Sequence, residues 1–327
     1  MIDPIIRRQI YLTQFANGEA RKSAENVLEL AKELTALVKQ GVANDIQISQ
    51  LSALEAEITK TVSKAVDKLR ADIADTIDAL APIEAAKTIE MLDGVALATF
   101  SAPSIEQVIT TVTNAEMTLV SGKVIRVHTI ESMIDEFDAA TAGDVTHMVR
   151  YGVVSGTSTQ DIAKDVGALV TTRSQSQAEA VVRTTVAHIA NIARQEVYRE
   201  NSDILEGEEW VATLDGRTRP EHAALDGKIF PIGEGPQPPY GWNCRCARVP
   251  VVKKGLLPEK DDYDRASIDG PVSGKDTYNT WLKRQPESFQ NDVLGKKRAD
   301  LFRDGADLDK FINDKVVLLT LEELKKK

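Results

Sequence analysis

The residues best equipped for chemistry fall within 32 positions, from Asp215 through His222 to Cys244 and Cys246. Together they offer two sulfurs, a ring nitrogen and a carboxylate oxygen, a donor mix that suits tetrahedral zinc. A Cys/His pair is also the minimum for a thiol nucleophile, with Asp215 as the only orienting third group and Arg245 able to stabilise a thiolate without an enzyme being needed. A third arrangement needs neither metal nor reaction. In it His222 and Asp215 hydrogen-bond across two turns, while Arg217, Arg219 and Arg245 pair with Asp226 and with backbone carbonyls. Cys244 and Cys246, two apart on a strand, would then face one side as small apolar fillers beside Trp210, Phe230 and Trp242. The sequence favours this lattice. No catalytic residue, bound metal or other cofactor is expected, and zinc on His222, Cys244 and Cys246 is the exception to test.

These are the chain's two cysteines. They form no secreted disulfide framework, and a bond across one intervening residue would close a strained ring, so reduced thiols are expected.

Short elements must hold the cluster. Residues 210–214 have strand composition and end at the Asp215-Gly216 turn. Pro220 can open one helical turn through Leu225, and Asp226-Gly227 makes a second turn. Residues 228–230 read as another strand. A Gly/Pro-rich loop over 233–241 leads to Trp242-Asn243 and a strand over 244–252.

These residues, taken in order, resemble the phage Mu F-like minor head proteins, the head-morphogenesis family. The resemblance rests on Asp215–His222, Leu225-Asp226-Gly227, Pro236–Pro239 and the closing Asn243-Cys244-Arg245-Cys246. It extends to the helix Arg183–Tyr198 and to Thr277-Tyr278, Trp281-Leu282, Val293-Leu294-Gly295 and Arg298, about half of the chain. It implies a low-copy structural component of a phage head, made in the host cytoplasm and carried in the virion. Such a protein meets the portal protein and other head proteins during procapsid assembly, associates with copies of itself, and travels or acts with phage DNA at ejection. Trp210, Asp215, Arg217, Arg219, His222, Asp226, Gly227, Trp242, Asn243, Cys244, Arg245 and Cys246 would form its docking and shape-holding face. The competing expectation is a metal- or thiol-dependent enzyme acting on nucleic acid or protein through the same cysteines and histidine.

The rest of the chain reads as helices. Leu30, Leu34 and Leu37 stripe a helix over 5–40 that Gly41 would end. A longer stripe runs through Leu51, Leu54, Ile58, Val62, Val66, Leu69, Ile73, Ile77 and Leu80, in steps of three and four, and Pro82 should close it or sit in the first turn of a following helix. Ser104 with Gln107 suggests a capping box. Residues 123–151 are expected to be helical, 152–159 a linker, 160–170 a helix capped by Ser158, and 176–201 a second long helix. The tail should be a charged connection to Gly274, then short helices near 277–284, 290–304 and 308–312, and a last capping box at Thr320–Glu323.

The expected fold is mostly α with a small α+β module. It comprises a long-helix region (1–93), a helical domain (94–205), the motif module (206–254) and a linker with a short-helix tail (255–327). Nothing at the start reads as a signal peptide, and no apolar run is long enough for a membrane span. The net charge of −10 argues against coating of nucleic acid by the whole molecule. Residues 210–254 nonetheless carry a local excess of three positive charges.

Overall fold

Two long helices open the chain in the computed structural model, which describes residues 2–40, 48–257 and 264–326. Helix α1 (Ile2–Gln40) buries Ile5, Leu12, Leu30, Leu34 and Val38. Gly41, its expected stop, lies outside the described residues, as do Met1 and Lys327. Helix α2 (Ile48–Asp93) buries every residue of the expected stripe, from Leu51 to Leu80. It does not stop at Pro82. A proline inside a helix removes one hydrogen bond and costs about 3 kcal/mol. The turns beyond it bury Glu84, Ala85, Thr88 and Leu92, and that burial outweighs the local defect.

Helix α3 (Ile105–Asn114) starts where expected, with the Ser104 hydroxyl accepting from the Gln107 N–H. The box is half made, because the Gln107 side chain turns instead to Glu196, 2.9 Å away. The continuous helix expected over 123–151 is not formed. Strands β1 (Met117–Ser121) and β2 (Val124–His128) make a hairpin around Gly122, whose φ of 60° suits glycine. The run Val124-Ile125-Arg126-Val127, β-branched except at Arg126, is better placed in a strand than in a helix. Helix α4 (Ile130–Val154) follows, capped by Thr129 and Ser132. Gly152 belongs to this helix rather than to a linker. A Cβ there would stand 2.5 Å from Ile162 Cγ1, so the glycine lets α4 meet helix α5 (Thr159–Leu169) closely. One π-turn (Val170–Ser174) joins α5 to α6 (Gln175–Glu200).

The chain divides into two compact units. One comprises Gln14–Ile77 and His128–Val186, and apart from His128 at the end of β2 its regular elements are all helices where described. Val27, Leu30, Val66, Leu69, Phe137 and Ala178, from four helices, close around one small cavity. Ion pairs lie outside this core: Arg70 reaches Glu131 and Asp135 at 2.8 and 3.0 Å, and Arg150 grips both oxygens of Glu55. These contacts run α2 and α4 antiparallel.

The other unit comprises Met1–Thr13, Asp78–Val127 and Ala187–Lys327. It holds the β1–β2 hairpin and a three-stranded antiparallel sheet in the order β4-β3-β5. Strand β3 is Leu205–Val211, the single turn α7 is Pro220–Ala223, β4 is Ile229–Phe230 and β5 is Ala247–Val252. β3 starts five residues before its expected position. A second hairpin, β6 (Asp264–Ser267) with β7 (Gly270–Ser273), stands in the segment expected to be a charged connection. The tail forms α8 (Tyr278–Lys283), α9 (Glu287–Leu294), α10 (Lys296–Arg303), a 3-10 turn (Leu308–Phe311) and α11 (Leu321–Leu324). The architecture is therefore mostly α with a small α+β module. Among the described residues, no helix is long and apolar enough to cross a membrane.

Candidate functional site

Strand β3 is the spine of the motif module. Its Trp210 pairs with Arg248 of β5, and its Glu208 pairs with Phe230 of β4. Trp210 is fully buried and shares a core with Ala223, Leu225, Tyr240, Cys244 and Cys246. Tyr278, Trp281, Leu282, Phe302, Phe311 and Val317 of the tail belong to the same core. The module thus draws much of its apolar interior from residues beyond 276. Trp281, not Trp242, is the second large ring of this core, because Trp242 is half-buried at the turn and lies outside it.

Two buried carboxylates organise the turns. Asp226 accepts both guanidinium nitrogens of Arg265 at 2.6 and 2.8 Å, and the backbone N–H groups of Ala212 and Tyr278, each at 2.6 Å. Arg265 also donates to the carbonyls of Ala212 and Asp276. Gly227 follows with φ 81°, and a Cβ there would meet Thr277 Cγ2 at 2.9 Å. Asp215 is held by Arg245 at 2.6 and 2.9 Å, and by the N–H groups of Arg217 and Thr218. Burial opposes ionisation of Asp215, but the hydrogen bonds and charge of Arg245 outweigh it and keep the carboxyl below the usual carboxylate range. The Arg217 side chain is mostly exposed, with its Nε 3.5 Å from Asp215.

Arginines also hold the loop that precedes the cysteines. Arg248 is fully buried and donates to the carbonyls of Glu208, Glu234 and Pro236 while its guanidinium covers the Phe230 ring at 4.2 Å. Burial pulls its pKa down to about 10. Arg219 donates to the Trp242 carbonyl at 2.7 Å. Gly241 to Cys244 form a turn closed by the Cys244 N–H on the Gly241 carbonyl, with Asn243 at φ 57°. Asparagine is among the few side chains that tolerate that position.

The turn sets Cys244 and Cys246 on one side of the extended approach to β5. Pro220 opens α7, which delivers His222 to the same place. Both sulfurs face one ring nitrogen: His222 Nδ1 is 3.5 Å from Cys244 Sγ and 3.6 Å from Cys246 Sγ. All three residues are buried, and the imidazole stands edge-to-face with Trp210 at 5.8 Å. The cysteines are free thiols. Burial pushes the Cys246 thiol up and its sulfur neighbour pushes it further, whereas Cys244, beside Cys246 and His222, is held down despite its burial.

The sequence brings the right residues together but with partly different partners. Asp215 takes Arg245 rather than His222, because Arg245 points back from the Cys-x-Cys segment. Asp226 takes Arg265, which lies on β6 and which no motif marked. Arg248 and Glu208 were also missed. A charged residue amid the apolar run Ala247–Val252 was the available signal for Arg248.

Residues 143–249 match the family model described as phage Mu protein F like protein. The match includes His222 and both cysteines and stops before the tail. Among curated proteins, the putative capsid assembly protein F of Escherichia phage Mu is 45% identical over 55 residues, 16% of this chain and 12% of that one. The Mu-like prophage FluMu F protein of Haemophilus influenzae is 37% identical over 105 residues, 29% of this chain and 25% of that one. A protein of Enterococcus faecalis named NAD(+)--arginine ADP-ribosyltransferase EFV is 30% identical over 169 residues, 45% of this chain and 33% of that one. The matched segments span a third or less of the length of these relatives. No solved structure matches the chain significantly. Over residues 143–249, which include the Cys-x-Cys turn, the chain is thus similar to the phage Mu protein F-like family.

Proposed function

We propose that this chain is a structural head-morphogenesis protein of a Mu-like phage or prophage. It acts in procapsid assembly at or near the portal and is retained in the virion in low copy. The observation that carries this reading is the 45% identity to a putative capsid assembly protein over 55 residues. The site's construction supports it. Its charged groups are committed to one another and to backbone, which fixes shape, and Arg217 at the rim remains mostly exposed for a partner. The partners in this reading are the portal protein, other head proteins and further copies of the chain. Phage DNA is a partner at ejection, and the host cytoplasm is the site of assembly.

A metal- or thiol-dependent enzyme is disfavoured by burial. Both cysteines are 5% exposed and His222 is 2% exposed, so a macromolecular substrate could not reach the thiols without opening the module. The name of the Enterococcus faecalis relative does not alter this, since the match leaves two thirds of that protein outside it.

Quantitative mass spectrometry of purified virions and DNA-free proheads tests the proposal. The expected result is a low, constant copy number in both particles, with cross-links to the portal protein. A protein abundant in lysate and missing from both particles would overturn it.

A further inference from the structure

We infer that His222, Cys244 and Cys246 form a binding site for one thiophilic divalent cation of the zinc class. The inference does not rest on the assembly role. Its first support is distance. A zinc ion with Zn–N near 2.0–2.1 Å and Zn–S near 2.3 Å at tetrahedral angles has an N···S edge of about 3.6 Å. The two edges here are 3.5 and 3.6 Å, and the three donor atoms all lie within 4.8 Å of one another.

The second support is valence. A neutral imidazole nitrogen has either one lone pair or one N–H. At His222 Nδ1 two sulfurs converge, and that nitrogen's one lone pair can accept from only one of them. A cation seated between the three atoms takes one lone pair from each. The third support is charge. Binding a divalent ion releases both thiol protons to solvent, and two thiolates then cancel the ion's charge. The nearby Asp215–Arg245 pair is itself neutral, so the loaded site leaves no net charge among Trp210, Tyr240 and the tail's apolar residues.

Local backbone makes the convergence systematic. One residue between two cysteines in extended chain puts both sulfurs on one side. Asn243 sets the turn before them, and Pro220 fixes the first residue of the helical turn that carries His222. Among the described residues no further His, Cys, Asp or Glu joins the group, so the fourth position falls to water or a backbone carbonyl. Because the three side chains are buried, the ion's task is to fasten α7 to the Cys-x-Cys segment.

The test uses the full-length chain, kept reduced, dialysed against zinc and separately against cobalt(II). The expected result is one zinc per chain by elemental mass spectrometry. Cobalt should give sulfur-to-metal charge-transfer absorption with the intense visible bands of four-coordinate geometry, and zinc should displace it. Cys244→Ala and Cys246→Ala should each abolish the charge-transfer absorption or reduce it severalfold. If a variant does not fold, the wild-type spectrum still decides. Wild-type chain that leaves dialysis with no zinc above the buffer level overturns the site. So does cobalt bound with only weak, octahedral bands and no thiolate absorption, because the cation would then sit elsewhere.

Discussion

The helical unit and the motif module are stabilised in different ways. The helical unit is held by an apolar stripe repeated every three to four residues, with its ion pairs left at the surface. Arg150 and Arg70 can lose their partners there to water at little cost. The module also has ion pairs inside, where Asp226 with Arg265 and Glu208 with Arg248 are almost wholly removed from solvent. Apolar packing tolerates small changes of shape, whereas a buried charge pair tolerates loss of a partner badly. The two units should therefore respond oppositely to substitutions that look equally mild.

The largest contrast should come from Asp226→Asn. The shape is kept, but Arg265 is left buried without a counter-charge, a loss of about 3–5 kcal/mol in comparable cases. The three tryptophans, Trp210, Trp242 and Trp281, all lie in the module's unit, so their fluorescence reads its unfolding. The expected outcome is a large fall in the fluorescence midpoint. A midpoint within a degree of wild type would show that the pair is dispensable and would remove the contrast.

In the helical unit, Ile58→Val should cost about 0.5–1.5 kcal/mol, with little loss of helical circular dichroism at ambient temperature. If Ile58→Val proved as damaging as Asp226→Asn, the helical unit would be as intolerant as the module.

The smallest effect sharpens the comparison by pH. Asp215 has a depressed folded-state pKa, so its contribution is fully present above the unfolded-chain value near 3.9 and is lost as pH falls through the lower folded value. Asp215→Asn should thus be less stable than wild type at neutral pH, and the gap should narrow below about pH 4. A gap that stays constant down to pH 2 would mean that the Arg245 contact contributes through shape alone.

The same contrast explains what could be read from sequence. The stripe from Leu51 to Leu80 announced α2 because burial on a helix leaves a periodic trace. Pro82 misled because its local cost is legible and the burial of Thr88 and Leu92 beyond it is not. β3 was shortened because Glu206, Glu208 and Glu209 do not look like strand residues. Glu208 is nonetheless buried within it, with the Arg248 guanidinium 3.8 Å away. His222, Cys244 and Cys246 were recognisable by type, and their meeting at one nitrogen depended on a turn geometry that residue names do not show. Arg265 left no trace, since its partner is 39 positions away. The match to the Mu protein F-like model fits the resemblance through Asn243–Cys246, while the resemblance at Thr277–Trp281 lies beyond the matched segment.

The four-way seating of Asp226 also bears on the order in which the ribosome releases the chain. When Asp226 emerges, one of its backbone donors, Ala212, is already available. Arg265 and the Tyr278 N–H come 39 and 52 residues later. Until then the nascent module carries a carboxylate that it cannot bury and lacks the Trp281 side of its core. The family-matched segment should therefore emerge as an unfinished intermediate and lock only when the tail arrives. A transplant of the module between phages would have to carry the tail with it.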